Sequence, residues 1–115
     1  MRALAGRFLH VNLNGVSATA TGEFYSTILG LKSHMQTDSS VAADGSFFGF
    51  DGEIHTDTRF YYDVRGGRNG CALEAIEWLG PALIPDTGTG PARPGIRAGW
   101  YAVADLDAAA AALRD

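Results

Sequence analysis

The chain opens on a strict alternation of apolar and polar residues. In RFLHVNLNG, residues 7–15, Leu9, Val11 and Leu13 are separated by His10, Asn12 and Asn14. A strand places alternate side chains on opposite faces, so one face is apolar and ready to pack while the other is polar and carries His10. Ser17 then caps a helix over residues 18–29, where Phe24, Tyr25, Ile28 and Leu29 fall on one helical face and Gly30 sits just past the end. Thr19, Thr21 and Gly22 are poor helix formers, so this helix depends on packing rather than propensity. KSHMQT, residues 32–37, reads as a short strand. The Gly/Asp/Ser-rich stretch 38–57 holds the aromatic patch SFFGF and is either a long loop or a loop with a short strand inside it. At about 20 residues it exceeds the usual loop length, which points to a lid or to hidden structure.

TRFYYDVR, residues 58–65, alternates again, with Phe60, Tyr62 and Val64 on one face and Arg59, Tyr61, Asp63 and Arg65 on the other. GGRNG lacks phosphate-loop spacing and reads as a hairpin turn. In CALEAIEW, residues 71–78, Cys71, Leu73 and Ala75 form a small apolar row that suits packing under a helix. Ala72, Glu74, Ile76 and Trp78 point the other way. Glu77 belongs to the packed row but lies at the strand end, within reach of water. A Pro/Gly-rich linker follows over 81–95. IRAGWYAVADLDAAAAALRD then gives a strand, Asp105 as a cap, and a helix on Leu106, Ala110 and Leu113. Setting Ser17 over Asp105 lays HVNLNGV over AGWYAVA at an offset of 88 residues. The chain thus divides into a first unit at 1–80 and a second strand–helix unit at 96–115.

Length fits one domain with a real but thin core. A formal charge of −4 with scattered acidic residues argues against a nucleic-acid partner. No apolar run approaches the roughly 20 residues of a membrane span, and no signal-peptide pattern opens the chain. The single cysteine, Cys71, permits no internal disulfide, so a cytoplasmic setting is expected.

If a helix covers the Leu9–Val11–Leu13 face, His10 and Glu74 share the opposite one, and alternation prefers Glu74 to Glu77 as the partner of His10. An imidazole and a carboxylate together begin a divalent-metal site or an acid–base pair. Two ligands fall short of the three a zinc site takes from protein.

FLHVNLNG, EFYSTILGLK and LEAIEW together resemble the vicinal oxygen chelate superfamily: glyoxalase I, extradiol dioxygenases, methylmalonyl-CoA epimerase, and fosfomycin and bleomycin resistance proteins. The resemblance implies an α+β fold. A βαβββ module curls into half a cup, and here it is followed by the first strand and helix of a second, incomplete module. It also implies a divalent metal (Fe, Mn, Ni, Co or Zn) held by His10 and Glu74, with Glu74 the one candidate base. The substrate would be a small, oxygen-chelating molecule contacted by Asn12, Tyr61, Trp78 and Trp100. The second-unit counterpart of His10 is Ala98, which cannot bind metal, and Arg97 beside it is a donor only. The alternative is a metal-free, resistance-type binding protein with Tyr61, Trp78 and Trp100 as its aromatic cup. In either case the half-cup is expected to be completed by a homodimer or, alternatively, by the remaining strands of a longer two-module protein. The strands at 59–65 and 71–78 lack proline and lysine and are expected to leave unblunted edges.

The remaining candidates each have a plainer explanation beside the functional one. His34 and His55 are surface histidines or additional ligands. Phe47, Phe48 and Phe50 form a lid or fill the core. Trp100 lines the cup or simply packs. Cys71, on the packed row, is expected to be inert, and Ser17 acts as a cap.

Overall fold

A computed structural model describes residues 9–82 and 101–114. The chain divides into two compact units, Met1–Ala82 and Leu83–Asp115. Among the described residues the fold is α+β, with a mixed open sheet of five strands and three helices.

In the first unit, β1 (His10–Gly15) leads into α1 (Ala18–Leu29). Ser17 starts that helix in extended conformation, its Oγ accepting the Ala20 N–H at 3.1 Å. Gly30 ends it at φ 66°, a left-handed turn that only glycine enters without penalty. The expected β2 is present at Lys32–Gln36. The long polar stretch hides structure. A two-residue strand, β3 (Ala43–Asp44), runs into a 3-10 turn, Gly45–Phe48, and then into β4 (Glu53–Tyr62). β4 starts well before the hydrophobic run that marks it in sequence, and it stops at Tyr62. Val64, expected inside the strand, lies beyond its end and is 100% exposed. GGRNG is not a hairpin turn but mostly a short helix, α2 (Gly66–Asn69). β5 (Ala72–Gly80) closes the unit.

The strand order is β1-β5-β4-β2, with β3 added alongside β4. β1 runs parallel to β5, His10 level with Ala72 and Asn12 with Glu74. β5 runs antiparallel to β4, pairing Glu74 with Phe60 and Leu73 with Tyr61. These registers sort the side chains. Val11, Leu13, Leu73, Ala75, Glu77, Tyr61, Arg59 and Asp57 share the face under α1. The opposite face carries His10, Asn12, Asn14, Glu74, Ile76, Trp78, Phe60 and Thr58.

The covered face is tied to the helix by polar as well as apolar contact. Ala18 N–H, an orphan donor of the first turn, donates to Glu77 Oε2 at 2.7 Å. Arg59 forks onto Asp57 at 2.7 and 3.1 Å and also donates to Thr19 Oγ1 at 3.1 Å. Tyr61 is 3% exposed, its hydroxyl lying where a Cβ on Gly22 would stand.

Several expectations are corrected here. The strands around 59–65 and 71–78 are the two central strands of the sheet, so neither is an edge; the ends of the described sheet are β1 and β2. Leu9 and Cys71 are exposed rather than packed, because both precede the first residue of their strands and alternation does not govern them. In the second unit, Asp105 caps α3 (Leu106–Ala112) as expected, its Oδ1 accepting the Ala108 N–H at 2.9 Å. Tyr101–Ala104 form no strand, and the rest of the expected second strand lies outside the described residues.

Candidate functional site

β1 is short, polar on one side and paired with β5 in parallel, so any side chain on its uncovered face sits beside the matching row of β5. His10 uses this placement. Its Nε2 lies 3.3 Å from Glu74 Oε2, with the imidazole 42% and the carboxylate 13% exposed. Phe60, opposite Glu74 on β4, meets the His10 ring edge-on at a centroid distance of 5.8 Å. Burial raises the Glu74 carboxyl above the usual carboxylate range, and the neighbouring His10 charge offsets this only in part. A sheltered carboxylate facing one imidazole is suited to receive a proton or a cation.

The other expected site residues divide. Asn12 is level with Glu74 on the same face and is exposed. Trp78 shares that face further along β5; its Nε1 donates to Asn14 Oδ1 at 2.9 Å. Tyr61 does not join them. It stands on the covered face beneath α1, and Phe60 takes the place next to His10 and Glu74. The sequence shows that Phe60 and Tyr61 point opposite ways, but one strand's alternation cannot say which of them aligns with Glu74; only the β4–β5 register does. Trp100, with Ala98 and Arg97, lies outside the described residues.

Phe48 and Phe50 neither fill the core nor stand free. Their rings contact the Trp78 indole at 5.3 and 5.5 Å, while Phe47 projects outward, 89% exposed. Asn14 and Phe60 are the contributors that sequence reading missed, whereas Phe48 and Phe50 were among its candidates. Asn14 was visible only as one more member of a polar row, and nothing local tied it to a residue 64 positions away. His34 is exposed on β2 with its ring against Tyr62 at 5.7 Å, and His55 is half-buried on β4. Neither contacts the His10–Glu74 pair.

Imidazole nitrogen and carboxylate oxygen suit the first-row divalent metals. At 3.3 Å the two donor atoms are close enough to serve one ion. Among the described residues no set of three or more histidine, cysteine, aspartate or glutamate side chains is gathered to hold a metal. No helix among the described residues is long and apolar enough to cross a membrane. Compared with protein families, curated proteins and solved structures, the chain matches none.

Proposed function

We propose that this chain is a vicinal oxygen chelate-type protein, its first unit the βαβββ half-cup, acting on a small oxygen-chelating substrate at His10 and Glu74. The observation that carries the reading is the 3.3 Å approach of His10 and Glu74 on the face of the sheet opposite α1. His10 and Glu74 would hold a divalent metal, which when bound polarises the substrate's oxygens. His10 supplies a neutral nitrogen donor and is steadied by the Phe60 ring. Glu74, sheltered from water, is the group able to take up or return a proton at Oε1, the oxygen turned away from His10. Asn12 faces the same space as a hydrogen-bonding partner for substrate. A second copy of the chain, meeting the first as a homodimer, completes the ligand set. The reducing cytoplasm suits its free, exposed Cys71.

Elemental analysis of protein purified without chelator tests this directly. Stoichiometric Fe, Mn, Co, Ni or Zn is expected, lost in both His10→Ala and Glu74→Ala, since a site with so few ligands cannot spare one. One observation favours a second reading, a metal-free binding protein of the resistance type: the cluster of Phe48, Phe50 and Trp78 on the same face. Absence of all five metals, with His10→Ala and Glu74→Ala otherwise unaltered, would select it.

A further inference from the structure

We infer that Asn14 is a positioning residue, holding Trp78 so that the indole forms the end wall of the ligand space that begins at His10 and Glu74. The wall's role rests on the reading of that pair given above. The strand register makes the case. Asn14 is level with Ile76, two residues short of Trp78 on β5, yet its Oδ1 receives the indole N–H at 2.9 Å. The hydrogen bond therefore draws the indole N–H back along β5, from the level of Trp78 to that of Ile76. Ile76, at that level on the same face, is 4% exposed.

Two rings keep the indole there. Phe48 meets it edge-on at an interplanar angle of 88°, and Phe50 meets it tilted at 51°; such offset contacts are favoured over face-to-face stacking. The loop that carries both rings is itself closed. Gly45 N–H donates to the Gly52 carbonyl at 2.8 Å, Phe50 N–H donates to the Gly45 carbonyl at 3.0 Å, and a Cβ at Gly45 would come within 2.6 Å of the Gly52 oxygen. With a strand rise of about 3.3 Å per residue, the leaning indole ends the open run of this face within about 7 Å of Glu74. A wall at that distance would favour a compact, short-chain oxygen chelator over a long one.

Emission from Trp78 alone, read in a Trp100→Phe background, tests the positioning. Asn14→Leu, which removes the acceptor, should shift the emission maximum and increase quenching by acrylamide. Asn14→Asp, which keeps an acceptor at the same place, should return both to the parent values. An Asn14→Leu protein with intact far-UV circular dichroism and unchanged emission overturns the positioning. If Asn14→Leu fails to fold, Asn14→Asp decides alone: altered emission there overturns the claim. The end wall is tested with Co2+ and two hydroxamates, acetohydroxamate and octanohydroxamate, followed by the visible spectrum of the cobalt. The parent should prefer the short probe by about tenfold or more, the scale on which a pocket rejects extra methylenes, and Trp78→Ala should lose that preference. Equal affinities in the parent overturn the wall. Failure of Co2+ to bind the parent defeats the reading of His10 and Glu74, and the wall with it, while the emission experiment still decides Asn14.

Discussion

Glu74 carries a cost that its neighbours only partly offset. Because burial raises its carboxyl in the folded chain, the fold holds that proton more tightly than the unfolded chain does. The resulting stabilisation is complete below the unfolded carboxylate range and is lost as pH rises through the raised folded value. At neutral pH the charged side chain is therefore a net burden on the fold. In chelator-treated, metal-free protein Glu74→Gln should melt higher than the parent at neutral pH, with the gap closing in acid; a gap that widens in acid would contradict the assignment. Gly22 makes the opposite point. A methyl there overlaps the Tyr61 hydroxyl, and overpacking of this kind costs about 1–3 kcal/mol. Gly22→Ala should lower the melting temperature, and Tyr61→Phe should recover part of the loss, a coupling that a double-mutant cycle measures. Neither effect was legible from sequence, where Gly22 looked merely like a poor helix former and Tyr61 like a candidate for the ligand cup.

At the scale of elements, the sequence was most readable where a pattern is local. Ser17 and Gly30 bound α1 because caps are chemistry between near neighbours, and the alternation of β1 and β5 put His10 and Glu74 in rows that proved to share a face. The start of β4 was overlooked: Ile54, Thr56 and Thr58 are β-branched at alternate positions, but Glu53, His55 and Asp57 between them make the stretch read as loop, and it is pairing with β3 and β5 that extends the strand. Glu77 shows the same limit from another side. Alternation placed it correctly in the covered row, but its bond to Ala18 N–H depends on how α1 lies on the sheet. Glu77→Ala leaves that part-buried donor unsatisfied and should cost about 1–3 kcal/mol in chemical denaturation. A substitution without effect would mean that water replaces the carboxylate freely.

The two ends of the described sheet differ as possible interfaces. β2 bears Lys32 and a register shift between Ser33 and Met35, devices that discourage further pairing. β1 has an unbroken register with β5 and neither lysine nor proline. If two copies complete the half-cup, β1 is the side on which they should meet. Light scattering on the 115-residue chain at micromolar concentration should give twice the 12.2 kDa chain mass, and Asn12→Pro on β1 should return it toward the monomer while Ser33→Pro on β2 should not. A folded monomer in the parent would remove the dimer from the proposal.

The parallel pairing of β1 with β5 also governs when the site can exist. Among the described residues these are the first and last strands of the first unit, so their contact closes a loop of roughly sixty residues, among the most entropically expensive contacts in the fold. α1 and the β3–β4 hairpin are built from near neighbours and can form while that loop is still open. His10 faces no carboxylate, and Trp78 no Asn14, until β5 slots in between β1 and β4. A nascent chain emerging from the ribosome holds its imidazole long before it holds a site, and any ligand that needs both halves recognises only the finished sheet. Such a ligand reports completion of folding, and its binding draws directly on the stability of the whole unit rather than of any one strand.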